Sequence, residues 1–506
     1  MSDKSLTHGG GESYSGIVPA KQPNKSERSP AEVVEGRPLA KENTQEPNPY
    51  RTPSRESGPS GLARVREAAK QDKKLKFTAL LHHVSIDLLR ESYYSLKKQA
   101  APGVDGMTWQ EYGEDLEARL SDLHGRIHRG AYRAQPSRRV WIPKADGRQR
   151  PLGVAALEDK IVQYAVGRVL NQIWEEDFLG FSYGFRPGRG QQDALDALWV
   201  GIVRQKVNWI LDLDIRSFFD KLQHSWLVQF VEHRVEDRRV VRLIRKWLKA
   251  GVMEQGQWHE TKEGSPQGSV ISPMLANLYL HYVLDLWVEA WRKKVARGEV
   301  IVVRYADDAV LGFQHREEAE CFLAQLQERL RKFGLELHPE KTRLIEFGRY
   351  AAKQREQRGE GKPETFNFLG FTHICGRNHK TGNFTVQRKT IGKRMAAKLK
   401  DIKAKLRERM HARVPGTVKW LQRVVSGYFQ YHAIPGNWAR LEGFRKEVQR
   451  IWFRTLRRRS QRSRITWERF RTCFGSLLPP VQILQPYPDV RFDAKHPNIR
   501  GRNRVR

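Results

Sequence analysis

The chain has 506 residues, long enough for several domains with their own cores, and carries 91 Lys and Arg against 57 Asp and Glu, a formal net charge of +34. A surplus of that size asks for a polyanion, and nucleic acid is the default partner. A polybasic membrane-surface protein would want an amphipathic anchor, a lipid signal or a spanning apolar run; the sequence shows none of these, so no membrane partner is expected.

The three cysteines, Cys321, Cys375 and Cys473, are widely spaced with no C-x-x-C pair, which argues against a structural zinc site or a disulfide framework and fits a reducing cytoplasm. No signal-peptide h-region stands at the N-terminus. From Met1 to about Ser60 the composition is Gly, Ser, Pro, Glu and Lys with few large apolar residues, which predicts a disordered tail. Order is expected from near Leu75, where Ala79, Leu80, Val84, Leu88 and Leu89 recur at helical spacing. Ala101-Pro102-Gly103-Val104-Asp105-Gly106 breaks that helix, and Leu116, Leu120, Leu123 and Ile127 mark the next.

Arg139 to Gly153 reads as a hairpin with an Asp-Gly turn and the cations Lys144, Arg148 and Arg150 near its tip. Such a tip either protects a sheet edge or, in a polymerase, folds over an incoming triphosphate. A core helix follows through Ile161, Val162, Ala165, Val166, Val169, Leu170 and Ile173. Tyr183-Gly184-Phe185-Arg186-Pro187-Gly188-Arg189-Gly190 lacks the Gly-Lys-Ser/Thr ending of a P-loop, so it predicts a tight turn that sets Arg186 and Arg189 against a phosphate backbone.

In Trp209-Ile-Leu-Asp212-Leu-Asp214-Ile-Arg-Ser-Phe218-Phe219, alternation puts Ile210, Asp212 and Asp214 on one strand face and Trp209, Leu211, Leu213 and Ile215 on the other. Acids on such a strand oppose its propensity, as happens where a site overrides a local rule. A helical stretch through Trp247 follows. Gly264-Ser265-Pro266-Gln267-Gly268-Ser269 then forms a loop opening the helix of Leu275, Leu278, Tyr279, Val283 and Leu286, with free backbone donors and room for a base or sugar.

Val300 to Phe313 pairs two β-branched runs around a turn, a hairpin whose tip presents Asp307 and Asp308. Adjacent acids also serve as plain turn chemistry. The strand of Asp214 shifts that balance, because two-metal phosphoryl transfer needs carboxylates from separate strands that hold ions about 4 Å apart. Ala319, Phe322, Leu323, Leu326, Leu330 and Phe333 give an amphipathic helix ended by Gly334, and a strand over Leu335 to Thr342 is expected to return to the hairpin as in a split βαβ palm. Asn367-Phe-Leu-Gly-Phe371 is another short apolar segment. From about Val386 the composition shifts: cations crowd Arg388 to Arg413, and Trp420, Leu421, Val424, Val425, Tyr428 and Phe429 repeat at helical spacing. A second helix through Phe444, Val448, Ile451, Trp452 and Leu456 runs into Arg457-Arg458-Arg459. Aromatics inside and cations outside suit structured RNA or a duplex, against the plainer alternative of a solvated basic face. The stretch from Arg491 to Arg506 is expected to be a disordered basic tail.

Tyr305-Ala-Asp307-Asp308, Ser265-Pro-Gln267-Gly268, Asp214-Ile-Arg-Ser-Phe218-Phe219, Gly184-Phe-Arg-Pro-Gly188, Ile142-Pro-Lys144 and Phe368-Leu-Gly370 occur in the order of reverse transcriptase sequence blocks. In this spelling the chain resembles bacterial group II intron-encoded reverse transcriptases, the maturases, over about Leu75 to Leu456. The resemblance implies an α+β right-hand polymerase fold. Its expected parts are a tail at 1–74, fingers and palm at 75–385, a helical thumb or maturase domain X at 386–456, and a basic nucleic-acid-binding region at 457–506 with no HNH endonuclease pattern. It further implies that Asp214, Asp307 and Asp308, with the Ile215 carbonyl, bind two Mg²⁺ ions, Mn²⁺ being a substitute; Asp212 is the rival to Asp214. Phe219 would reject a 2′-hydroxyl, Lys144 and Arg150 would hold the triphosphate, Gln267 and Gly268 would pack at nucleotide and template, and Lys341 would approach the triphosphate as a general acid.

The implied partners are group II intron RNA, an RNA template, a DNA primer or target DNA, and deoxynucleoside triphosphates, in a bacterial cytoplasm with nucleoid association during mobility. The implied activity is RNA-directed DNA synthesis with maturase-assisted splicing and retrohoming. A non-catalytic RNA-binding splicing factor and a domesticated relative in phage defence or repair are the competing readings.

Overall fold

The computed structural model describes residues 61–143, 149–265, 267–378, 381–460 and 463–497. The expected tail over 1–60, the hairpin tip with Lys144 and Arg148, and residues 498–506 lie outside the described residues. Helices α1 (Gly61–Gln71), α2 (Ile86–Ser95), α3 (Trp109–Glu114) and α4 (Leu116–His128) come first. Ser85 caps α2 by accepting from the Leu88 amide, and Thr108 with Glu111 forms a capping box on α3. The 1–74 tail is corrected here: α1 buries Val65 and Ala69 and packs on a later helix, with Arg66 paired to Glu176 at 2.7 Å.

β1 (Ser137–Pro143) and β2 (Gln149–Val154) form the expected hairpin. They are followed by α5 (Leu157–Asp177), α6 (Gln191–Arg204), β3 (Trp209–Asp214), α7 (His224–Glu232), α8 (Arg238–Lys249), β4 (Val252–Glu254) and β5 (Gln257–His259). One sheet has the order β2-β1-β4-β5. α5 is buried on most of its circumference and lies inside the core, its Ile, Val, Leu and Ala packed with the buried polar side chains Asp159, Lys160, Gln163 and Asn171. Next come α9 (Ser272–Leu280), a π-helical turn (His281–Asp285), α10 (Leu286–Lys294), β6 (Val300–Tyr305), β7 (Asp308–Phe313), α11 (Arg316–Lys332) and β8 (Arg343–Glu346).

The central sheet runs β6-β7-β3-β8, antiparallel throughout. Alternation works as read from the sequence: Leu211, Leu213 and Ile215 enter the largest core with Phe322 and Leu326 of α11, while Ile210 joins a second core with Ile301, Val303 and Val310. Because β7 and β8 both oppose β3, they run parallel to each other with α11 as the crossover, a split βαβ unit. The returning strand is four residues at 343–346, not 335–342. Pro339 has no amide for a ladder, and Leu335–Thr342 instead loops beside Asp214, whose carbonyl accepts from the His338 amide at 2.8 Å.

After α12 (Ala351–Gln357), strands β9 (Phe366–Phe368), β10 (Phe371–Arg377) and β11 (Phe384–Thr390) make a third sheet. The composition shift at Val386 therefore falls inside a strand, and the helical region begins with α13 (Gly392–Glu408). α13, α14 (Val414–His432), α15 (Trp438–Arg457) and α16 (Trp467–Phe474) enclose Ile402, Leu406, Trp420, Leu421, Val425, Phe444, Val448, Trp452 and Phe470. Lys393, Lys400, Lys403, Arg407, Arg450, Arg454, Arg457 and Arg458 are exposed.

The chain from Arg491 onward is not a loose tail where it is described. α17 (Pro488–Lys495) packs on α6, with Phe492 buried, Arg491 paired to Asp193 and Asp196, Lys495 to Asp193, and Arg204 to Asp493. Asp196 also takes Arg388 of β11 at 3.0 Å, so that cation is a buried tie between sheet and helix rather than part of a basic face.

Candidate active site

Register builds the site. In β3·β7, Asp214 and Asp308 are direct Cα partners, and in β6·β7 Tyr305 pairs with Asp308, leaving Ala306 and Asp307 as a two-residue loop. Asp212, the rival, stands opposite Val310 on β7 and Arg343 on β8, with the Arg343 guanidinium 4.0 Å from its carboxylate. Burial pushes Asp212 up to about 7. The strand-end position of Asp214, not Asp212, therefore faces the Asp pair.

Burial also raises Asp307 above the usual carboxylate range, with Asp214 adding and Arg150 opposing. Asp308 is raised further, first by burial and then by the charges of Asp307, Asp214 and Asp212. Oδ1 of Asp307 and Oδ2 of Asp308 are buried acceptors without a hydrogen-bond partner among the described residues. Buried carboxylate oxygens without donors, crowded by like charge, are chemically suited to a divalent cation. Among the described residues, no three His, Cys, Asp or Glu side chains are gathered closely enough to hold a metal together as they stand. Asp214 Oδ2 is instead occupied by Lys341 Nζ at 2.9 Å.

The other expected residues cluster at the same end of the sheet. Ile215 is bridged to Leu337. Phe219, half-buried, lies in a 3-10 turn with its ring edge-on to Phe218 at 5.3 Å. Arg150 Nε donates to Gln267 Oε1 at 2.6 Å, and the Gly153 amide donates to the Gln267 carbonyl at 2.6 Å, so the fingers hairpin and the Gln267-Gly268 loop are clasped together. Gly268, at φ +103, makes the turn that a side chain would strain. Lys144 lies outside the described residues. Phe185, Ser217, Ala306 and Leu369 are non-glycine residues held at φ between +44 and +59 in the segments that border the site.

One expectation fails, at Arg186. Arg186 is buried, its guanidinium pairing with Glu175 at 3.0 Å and donating to the Leu179 and Ser182 carbonyls at 2.8 Å, so it faces no phosphate. Arg189 donates to the Gly180 carbonyl at 2.6 Å and lies over the Tyr183 ring. The turn around Gly184 instead supports the hairpin: a Cβ on Gly184 would sit 2.2 Å from the Ala306 nitrogen. Arg304, unread in the sequence, is the buried charge behind that hairpin. Its signal was there, a lone cation in the otherwise apolar Val-Ile-Val-Val-Arg-Tyr run.

Residues 142–373 match the family described as "Reverse transcriptase (RNA-dependent DNA polymerase)". The chain is 36% identical over 247 residues to Protein YkfC of Escherichia coli (strain K12), covering 43% of this chain and 64% of that protein. It is 32% identical over 275 residues to the group II intron-encoded protein LtrA of Lactococcus lactis subsp. cremoris, covering 52% and 45% respectively. An uncharacterized 91 kDa protein in the cob intron of Schizosaccharomyces pombe is 39% identical over 154 residues, 30% of this chain and 19% of that one. The chain thus spans less than two thirds of each of these relatives. The family match takes in Asp214, Asp307 and Asp308, so the segment 142–373, a little under half of the chain, is similar to the reverse transcriptase family.

Proposed function

We propose that the protein is an RNA-directed DNA polymerase that binds a group II intron RNA, assists its splicing and copies it into DNA during retrohoming. The observation that carries the polymerase reading is the cross-strand pairing of Asp214 with Asp308, with Asp307 on the adjoining loop and unpartnered carboxylate oxygens at both hairpin positions. Two Mg²⁺ ions held by Asp214, Asp307, Asp308 and the Ile215 carbonyl, or Mn²⁺ in their place, would activate a primer 3′-hydroxyl and stabilise charge on the leaving pyrophosphate.

The chain's own residues supply the rest. The primer 3′-oxygen bonds to the α-phosphorus as the bond to pyrophosphate breaks, and catalysis consists mostly of alignment and charge stabilisation. Arg150, held by Gln267, steadies the triphosphate together with Lys144. Gly268 lets backbone approach the nucleotide. Phe219 stands under the sugar, where a 2′-hydroxyl would collide. Lys341, released from Asp214, donates a proton to the departing pyrophosphate. The exposed cations of α13 and α15 hold the RNA–DNA duplex and the intron RNA. No described helix is long and apolar enough to cross a membrane.

Splicing assistance and intron recognition draw support from similarity to a group II intron-encoded protein and to proteins encoded in other introns. Primer extension on an RNA template with Mg²⁺, comparing wild type with Asp307→Ala, tests the reading. Extension by the wild type alone is expected. Tight RNA binding without extension by either protein would replace it with a splicing factor that has no polymerase activity.

A further inference from the structure

The hairpin that carries Asp307 and Asp308 is fastened from behind by an arginine of its own first strand. Arg304 and Asp285 are both 0% exposed. The guanidinium donates to both carboxylate oxygens, Nε to Oδ1 at 2.7 Å and Nη2 to Oδ2 at 2.6 Å. Its remaining bonds run to Ser182 Oγ at 2.7 Å, Asn277 Oδ1 at 3.1 Å and the Ala306 carbonyl at 2.8 Å. Ala306 is the residue at φ +57 immediately before Asp307. Asn277 in turn donates from Nδ2 to the Gly184 carbonyl at 2.6 Å, and Gly184 is the residue whose missing Cβ makes room for the Ala306 nitrogen. One buried cluster therefore ties the loop to α9, to the π-helical turn and to the Ser182–Gly184 segment.

A buried ion pair is a poor device for stability alone, since apolar residues of similar volume often do as well or better. A π-turn in a long helix is likewise unusual and concentrates at functional positions. Here the π-turn delivers Asp285 to Arg304, and Arg304 reaches the carbonyl of Ala306, the loop residue at φ +57. We propose that Arg304, Asp285 and Asn277 are positioning residues that hold Ala306 in its left-handed conformation and so fix the Asp307 and Asp308 carboxylates for divalent cations. The proposal rests on the polymerase reading of the same site. Lysine at 304 would keep the charge but lacks the planar fork that reaches Asp285 and the Ala306 carbonyl together.

The test uses full-length Arg304→Lys and Asn277→Ala, bound to a primer–RNA template and studied well below each variant's melting temperature. Mn²⁺ affinity is read by electron paramagnetic resonance titration, and half-saturating Mg²⁺ by primer extension. Both variants are expected to need about tenfold more cation in both measurements, with primer–template affinity unchanged. Wild-type Mn²⁺ affinity in the folded variants overturns the proposal, whatever extension does. Should Arg304→Lys fail to fold, Asn277→Ala, which removes no charge, decides. A wild type that binds Mn²⁺ yet extends no primer overturns the polymerase reading, and the Mn²⁺ comparison still decides the positioning. A wild type that binds no Mn²⁺ overturns both.

Discussion

Lys341 holds its ammonium 2.9 Å from Oδ2 of Asp214, and it does so from a loop whose His338 amide donates to the carbonyl of the same aspartate. The lysine is thus delivered to the carboxylate by backbone bonding and not by chance reach of a long side chain. In the proposed reaction, cations would take over Asp214 and the ammonium would be free to serve the pyrophosphate. Lys341→Gln should lower the single-turnover rate of nucleotide addition by about 10²-fold and leave RNA affinity unchanged. An unaltered rate would confine Lys341 to the role of counter-ion.

Phe219→Ala should open the space beneath the sugar. Ribonucleotide incorporation relative to deoxyribonucleotide is expected to rise by about tenfold or more, measured by competitive extension on one template. Unchanged sugar discrimination would remove this ring as the gate.

Arg186 should report on folding and not on RNA. Its replacement by Gln leaves Glu175 with no matching charge in a buried setting, a loss of about 3 kcal/mol. Denaturant unfolding should show that loss, while the salt dependence of RNA binding stays that of the wild type.

Arg457 and Arg458, exposed at the end of α15, should behave in the opposite way. Reversing both to Glu is expected to reduce the slope of log affinity against log salt by about 2 with little change in melting temperature. A wild-type slope would make them a solvated face that merely complements the helix terminus.

His373 and His432 give the protein an acid limit. Burial lowers both to about 3 from the ordinary 6.5. The unfolded chain therefore takes up these protons first, so the stability conferred by the neutral rings is full above pH 6.5 and drains away as pH falls toward 3. Each ring contributes a slope of about 1.4 kcal/mol per pH unit in that window. His373 stacks on Phe366 and its ring nitrogens have no hydrogen-bond partner among the described residues, so His373→Phe should fold and flatten the slope by one ring's share in denaturant melts.

What the sequence disclosed about the site follows from how conspicuous each residue is against its neighbours. Asp214, Asp307 and Asp308 interrupt apolar strands, and alternation alone put Asp214 on the face away from Leu211 and Leu213. Arg186 was misread because a cation among glycines looks the same whether it meets a phosphate or the partly buried Glu175; only tertiary packing separates the two. Arg388 was lost in a run of surface cations, yet its strand partner positions turn it inward to Asp196. The fold was legible wherever apolar period was strong, as in α5 and α11. It was missed where few apolar residues carry an element, as with Val65 and Ala69 in α1 and Phe492 in α17.

The pairing of α17 with α6 sets an order in time. Arg491 and Asp193 are 298 positions apart, so during synthesis the acidic face of α6 emerges long before the helix that neutralises it. At ribosomal speeds that interval is on the order of 15–60 s. Throughout it, Asp193 lacks Arg491 and Lys495, and Asp196 has Arg388 as its partner once β11 is made. A half-made chain lacks the clasp of α17 on α6 until Arg491 and Lys495 have been added.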